Sequence, residues 1–169
     1  MEHKQEILQK LKSRQQELVD QAIEEIRAND DFSIVPELVE TLLHASDAYL
    51  IARLTTLLAD VKETGLTTLL AERLASAGRE EGRANLLRVC WESALDFSGH
   101  LEVFVNLLLD EDFVTALEAS TVIENLNGDI PAGRREEAIR FLESAETREG
   151  QAFLVEGVIR HLAGWEEEE

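Results

Sequence analysis

The chain has 169 residues, of which 44% are hydrophobic and 30% are charged, a composition that can form a core and argues against a disordered chain. The net charge is −19, and a single cysteine excludes a disulfide framework or a cysteine-ligated zinc site. No apolar run approaches the ~20 residues of a membrane span, and no apolar segment of a secretory signal follows Met1, so we expect a cytoplasmic protein.

Helical periodicity runs through nearly the whole chain, and no segment alternates apolar and polar residues over the length of a strand. The first segment places five apolar residues on one stripe, from Ile7 to Ile26, which predicts one long helix over residues 2–28. Eight further helices are predicted over residues 33–45, 47–62, 65–77, 80–95, 99–110, 112–127, 131–146 and 149–163. The predicted fold class is all-α, with nine helices and short connections.

Two sets of apolar positions recur along these helices with one period of about 33 residues. The first set occupies positions i, i+1 and i+4 of alternate helices, starting at Leu38, Leu70, Phe104 and Ala138. The second set occupies offsets −4, −1, 0 and +3 from four reference residues, which are Leu58, Trp91, Ile123 and Ile159. A shared period predicts four helical hairpins stacked in series, since no single hairpin can bury both of its faces.

The predicted architecture is a right-handed α-solenoid of about four hairpins over residues 32–164, with the helix at 2–28 as an N-terminal cap. Residues 1–164 would form a single domain, followed by an acidic tail at 165–169. We expect Trp165 to cover the apolar end of the last hairpin, because an open apolar edge there would be a potential dimer contact. The expected state is a monomer or a weak dimer.

A two-helix unit of this length resembles HEAT and armadillo-like repeats. The first unit carries Pro36 in its first helix, Asp47 at the turn between its helices and Arg53 six residues later, as HEAT repeats do. The later units keep only an acidic residue near the turn, and these residues are Glu80, Asp112 and Glu149. The Trp-Leu-Gly-Tyr series of tetratricopeptide repeats is missing from the repeating positions. The resemblance covers residues 32–164 and implies a protein-interaction scaffold, although some enzymes share the architecture, among them DNA-alkylation glycosylases and bilin lyases.

The second helices of such arrays usually line the concave surface, so residues at offsets −2, +1 and +2 from the reference residues should be exposed there. We call the candidate binding residues at these offsets the second-helix ridge; they are Thr56, Asp60, Glu92, Thr121, Glu124, Asn125, Arg160 and His161. The ridge is polar, acidic in the middle and basic at its far end, which would suit a basic or mixed-charge peptide or helix. The alternative is that these residues are the ordinary solvated face of four helices.

Few patterns of catalysis or metal binding occur in the sequence. The four histidines are scattered without a His-Glu-x-x-His pattern, and the Asp110–Asp112 turn lacks the alternating ligands and the glycine of an EF-hand, so no metal or other cofactor is expected. Glu92 and Glu124 would lie one repeat apart, about 10 Å by helix packing. An enzyme with lyase- or hydrolase-like acid/base chemistry at these two residues is therefore an alternative. Cys90 and Trp91 occupy repeat positions held elsewhere by Leu, Val and Ile, so both are expected in the core.

The charge of the chain opposes a nucleic-acid partner. The densest basic segment, Arg134–Arg140, is interleaved with glutamates, and a net charge of −19 would repel a phosphate backbone. This argues against a glycosylase-like cleft, whereas an acidic mimic of nucleic acid stays an alternative on charge alone. The expected function is that of a non-enzymatic scaffold that binds protein partners, with neither nucleic acid nor membrane as a partner.

Overall fold

A computed structural model describes residues 2–30 and 32–165, and it contains ten α-helices and no strand within these residues. The all-α fold class is therefore confirmed. The helices are α1 (Glu2–Leu11), α2 (Gln16–Asn29), α3 (Val35–His44), α4 (Ala48–Ala59), α5 (Gly65–Ser76), α6 (Arg83–Glu92), α7 (Leu101–Leu108), α8 (Phe113–Glu124), α9 (Ala132–Ser144) and α10 (Ala152–Ala163). Short 3-10 helices at Phe32–Ile34 and Ser98–His100 lead into α3 and α7.

The prediction of one continuous helix over residues 2–28 is wrong. Residues 12–15 separate α1 from α2, and Arg14 has a φ of 61°, in the left-handed region that ends a helix. The Ser13 hydroxyl donates to the Lys10 carbonyl at 2.7 Å, so a local side-chain hydrogen bond replaces a helical one. Since α1 packs against α2, the N-terminal segment is a helix pair and not a single capping helix.

The helices contact one another in a regular order. Consecutive helices pack as pairs, from α1 with α2 to α9 with α10. The second helices of the pairs also pack side by side, in the order α2, α4, α6, α8 and α10, and the first helices α3, α5, α7 and α9 contact one another in the same order. Each pair therefore packs on the next pair along the chain.

Ion pairs join equivalent helices of neighbouring pairs. They are Lys4–Glu37, Glu40–Arg73 and Glu102–Arg134 between first helices, and Arg27–Asp60 between second helices. Partners lie 32 or 33 residues apart in the sequence, close to the period of the apolar positions. Exposed pairs of this kind contribute little energy each, but their common spacing shows a similar lateral register at the three junctions that they cross.

The predicted apolar stripes form most of the core. Eleven of the twelve first-helix positions are buried, and Ile139 is half-buried. Thirteen of the sixteen second-helix positions are buried, whereas Trp91 and Ile159 are half-buried and Ala94 is exposed. The expectation that Trp91 lies fully in the core is therefore wrong, and it fails for a reason that applies to the whole of α6.

The buried face of α6 is shifted from the predicted register. Val89, predicted at an exposed position, is fully buried and Cys90 is buried, whereas the reference residue Trp91 is only half-buried. On α10, Val155, Val158 and Leu162 are buried as predicted, and only Ile159 is half-buried. Burial removes water from the Cys90 thiol and raises its pKa above the ordinary range. Cys90 is thus a core residue, as predicted.

The acidic turn before α8 is explained by ion pairs and capping. Asp110 pairs with Arg83, whose guanidinium is almost wholly buried. Asp112 caps α8 by accepting hydrogen bonds from the Thr115 hydroxyl at 2.7 Å and the Thr115 amide at 3.2 Å, and these bonds lower the pKa of Asp112. Glu111 lies 2.8 Å from Arg148. Within the part of the chain that the structure describes, no group of three or more His, Cys, Asp or Glu side chains is arranged to hold a metal ion.

The C-terminal end of the fold carries the predicted aromatic cover. Trp165 is half-buried against the core, and its ring meets His161 edge-on with centroids 5.6 Å apart. Residues 166–169 of the predicted acidic tail lie outside the described residues. No helix in residues 2–30 and 32–165 has the length and hydrophobicity that crossing a bilayer requires.

Candidate functional site

The residues of the second-helix ridge lie on helices that pack side by side. Because α4, α6, α8 and α10 are in contact in this order, their solvent-facing sides adjoin one another. Within the ridge, Thr121 and His161 are half-buried, and the exposed residues are Thr56, Asp60, Glu92, Glu124, Asn125 and Arg160. The Nε2 atom of His161 is buried and has no hydrogen-bond partner among the described residues.

The neutral polar groups of the ridge bond to their own helices. Thr56 donates to the Ala52 carbonyl at 3.1 Å, and Thr121 donates to the Leu117 carbonyl at 3.0 Å. The amide of Asn125 donates to the Thr121 carbonyl at 2.7 Å. Because these donors already bond within their own helices, they are less available for hydrogen bonds to a partner. The three residues mainly contribute small polar side chains to the surface.

The carboxylates of the ridge differ in how far they are neutralised. Asp60 lies 2.9 Å from Arg27 of α2, and Glu92 lies 3.0 Å from Arg88, one turn earlier on α6. Glu124 forms no ion pair with any described residue, and its side chain lies beside Gly157 of α10. The acidic middle that the sequence predicted is therefore compensated at α4 and α6 and stays uncompensated only at α8.

The two carboxylates considered for acid/base chemistry have different neighbours. Glu92 is engaged by Arg88 on its own helix, and Arg88 also lies 5.9 Å from the centre of the Trp91 ring. Glu124 faces α10. The contacts of Glu92 are with its own helix and those of Glu124 are with α10, so the two carboxylates share no neighbouring group.

An apolar patch that the sequence analysis missed adjoins the ridge. It consists of Phe113, Val114 and Leu117 on α8 and Phe153 on α10, and we call it the α8–α10 patch. These side chains are 39–59% exposed, and the Phe113 and Phe153 rings lie 6.3 Å apart. Leu117 precedes Thr121 by one turn, so the patch continues the ridge toward the N-terminal ends of α8 and α10. Clusters of exposed large apolar side chains commonly mark interaction sites.

The sequence did contain a signal for this patch. Its four residues lie off the apolar stripe of the repeat, on the side of the helix that the register assigns to solvent. Leu117 and Phe153 share one repeat position, since each precedes its reference residue by the same interval. At this position the other two second helices have Ala52 and Asn85. Large apolar residues at a position that is small or polar in the other units could have been singled out by aligning the units.

Free carboxylates border the α8–α10 patch. Glu156 follows Phe153 by one turn of α10 and is exposed, and like Glu124 it has no ion pair within the described ranges. Glu118 lies on the other side and accepts a hydrogen bond from the Trp91 indole at 2.5 Å. The surface at α8 and α10 therefore combines aromatic and aliphatic area with uncompensated negative charge.

No protein-family model matches the chain, and no curated protein has a significantly similar sequence.

Proposed function

We propose that the protein is a HEAT-like, right-handed α-solenoid that acts as a scaffold for a protein partner and has no chemistry of its own. The order of helix contacts supports this architecture, because pairs stack in chain order through equivalent helices. The ion pairs that span 32 or 33 residues support it independently. In this proposal α1 and α2 form a fifth unit of the stack, in place of the predicted single cap.

The α8–α10 patch is the observation that carries the binding function. The patch exposes large apolar side chains next to the polar ridge. Exposing such a surface to water is unfavourable, so it commonly marks a site that a partner covers. An apolar centre with a polar rim is the usual composition of a protein interface. The binding surface in this proposal is thus centred on α8 and α10 and includes the second-helix ridge as its rim.

The charge around the patch indicates which partner it fits. Glu124 and Glu156 are free to pair with cations of a partner, and the net charge of −19 disfavours an anionic one. We therefore infer a basic amphipathic helix, with apolar residues at i, i+3 or i+4 and i+7 that cover the patch. Long-range attraction should raise the association rate, so that binding slows as salt increases.

Pairing of the ridge carboxylates favours this function over a nucleic-acid mimic. A mimic needs a row of free anions at phosphate-like spacing, but Asp60 and Glu92 already have arginine partners. The free carboxylates are next to large apolar side chains, an arrangement without a counterpart on a phosphate backbone.

Selection of peptides on the purified protein tests the proposal. A library of displayed 16-residue peptides should yield basic sequences with apolar residues at helical spacing. Binding of the selected peptides should fall at least tenfold in Leu117→Ser/Phe153→Ser. The matched control is Phe141→Ser, which removes a side chain that is 45% exposed on α9, and it should bind as the unaltered protein does.

Two results would contradict the proposal. One is the selection of acidic peptides, and the other is equal binding to the patch variant and to the Phe141 control. Far-UV circular dichroism of each variant separates a lost surface from a lost fold.

A further inference from the structure

A pocket of about 680 Å³ lies between α1, α3 and the start of α4, in the N-terminal part of the fold. Its volume falls within the range of ~300–1,000 Å³ typical of small-molecule sites. Leu8 and Leu11 of α1 and Leu50 of α4 are buried residues that contribute its apolar wall. The pocket does not involve the α8–α10 patch, so any role it has is independent of the proposed scaffold function.

The acidic residues that line the pocket are each engaged by other groups. Glu37 lies 2.6 Å from Lys4, and Glu40 is hydrogen-bonded to Arg73, which lowers the pKa of Glu40. Asp47 accepts a hydrogen bond from the Tyr49 amide at 2.8 Å and caps α4. The negative charge in the lining is thus largely compensated from outside the pocket.

The lysine and the arginine that line the pocket, in contrast, are free, whereas His44 of the lining lies 3.4 Å from the Glu80 carboxylate. Lys12 and Arg14 both border it and form no ion pair within residues 2–30 and 32–165. The two are neighbours in the loop between α1 and α2, so both charges lie at the same edge of the cavity. The charge available to a ligand is therefore positive.

The backbone of Arg14 gives a second, independent observation. Its φ of 61° lies in the left-handed region, which favours glycine or asparagine and is unfavourable for an arginine. The loop itself would fold as well or better with glycine at this position. The arginine side chain thus has a role that local folding does not explain.

One acceptor in the lining is also unused. The Oε2 atom of Glu37 is buried and has no hydrogen-bond partner among the described residues. Because this atom is closed to solvent, it is not part of the surface that a ligand would meet.

We infer that this pocket binds a small organic anion with an apolar body. Its carboxylate, phosphate or sulfonate group pairs with Lys12 and Arg14, and its apolar body packs on Leu8, Leu11 and Leu50. The pairing is selective because the overall charge of the chain repels anions everywhere except where free cations face a cavity.

Two fluorescent probes with closely similar aromatic bodies test this inference. The anionic probe is 8-anilinonaphthalene-1-sulfonate, and the neutral one is N-phenyl-1-naphthylamine. The Lys12→Ala/Arg14→Gly variant should bind the anionic probe at least tenfold more weakly and the neutral probe within twofold of the unaltered protein. The matched control is Lys62→Ala/Arg140→Ala, which removes two other cations without ion pairs in the described chain, neither of which borders the pocket. It makes the same change in net charge and should leave both affinities unchanged.

Two further measurements locate the probe and check the fold. Ser46 borders the pocket and is exposed, so Ser46→Trp should narrow the cavity and weaken the binding of either probe there. Amide chemical-shift changes should be confined to the pocket, which separates this site from the α8–α10 patch. Arg14→Gly alone should keep or raise Tm while it weakens the anionic probe, an outcome that a purely structural arginine would not give.

Four outcomes would overturn the inference. They are failure of the unaltered protein to bind the anionic probe, an equal loss in the Lys62/Arg140 control, shift changes only at α8 and α10, and a lower Tm of Arg14→Gly. Since the peptide selection above uses a different surface, neither experiment decides the other.

Discussion

Gly82 lies where the start of α6 passes the end of α3. A Cβ atom on Gly82 would be 1.8 Å from the carbonyl oxygen of Leu43, 2.6 Å from its carbonyl carbon and 2.8 Å from its Cα. All three are backbone atoms, so a side-chain rotation cannot relieve the contact. The φ of −69° and ψ of −2° at Gly82 are open to any residue, so glycine is required there only for space.

Gly82→Ala should therefore separate α3 from α6 and destabilise the protein by about 3 kcal/mol, the upper range for an extra methyl group in a packed region. For a chain of this length, that loss corresponds to a fall in Tm of roughly 6–12 °C. The matched control is Gly65→Ala, because a Cβ at the exposed start of α5 would meet no atom within 4 Å. Its stability should change by less than about 0.5 kcal/mol. Thermal and urea unfolding, followed by circular dichroism, measure both variants.

The comparison tests how successive helix pairs are joined. Gly82 belongs to the pair formed by α5 and α6, and Leu43 belongs to the preceding pair. If both substitutions had the same small effect, the close approach of α3 and α6 would be wrong, and with it the packing of these two pairs.

Three further predictions concern ionisable groups. Arg83→Ala should cost about 3–5 kcal/mol in urea unfolding, because it leaves the little-exposed carboxylate of Asp110 without its partner; a loss below about 1 kcal/mol would mean that the pair is solvated. Asp112→Ala should cost about 1 kcal/mol at neutral pH. Since the folded-state pKa of Asp112 is lowered, its charge stabilises above the unfolded pKa of about 4, and the difference between the two proteins should shrink as pH falls through the lowered pKa. Unfolding curves that differ equally at neutral and at strongly acidic pH would contradict this. Cys90, buried with a raised pKa, should react with a thiol reagent on the order of a thousandfold more slowly than in urea-unfolded protein, because reaction requires opening; rapid labelling of the native state would place it at the surface.

The spacing of the buried positions along the chain could be predicted from the sequence, but which residues of α6 are buried could not. Cys90 and Trp91 are adjacent and both apolar, so either could have been the reference residue. The structure buries Cys90 and keeps Trp91 half-buried, with its indole N–H bonded to Glu118. A tryptophan needs a partner for this N–H, and the partner is on the next second helix, 27 residues later. Only the packing of α6 on α8 makes that contact available.

The break between α1 and α2 was hidden for a different reason. Residues 12–15 contain neither glycine nor proline, and Leu11 and Leu18 on either side of them are seven residues apart, a spacing that still fits one helical stripe. Arg14 adopts a conformation that its side chain disfavours, and the packing of α1 on α2 stabilises it. Tertiary contacts thus override local propensity at this loop.

Some contacts of the surface could be predicted from the sequence and others could not. Arg88 and Glu92 are four residues apart on one helix, so their ion pair could have been inferred from spacing. The pair of Arg27 with Asp60 joins two helices and needs the fold. The α8–α10 patch could have been found from the sequence, because it breaks the composition that the other units share.

The ion pairs between neighbouring helix pairs bear on whether units could be added to this fold. At three of the four junctions between successive pairs, ion-pair partners lie 32 or 33 residues apart. In the proposed solenoid, a duplicated unit inserted between two existing units would therefore meet similar surfaces on both sides, and no distant contact would have to be rebuilt. A closed core fixes the number of its elements, whereas in the proposed solenoid each added unit would contribute its own stability and one more interface.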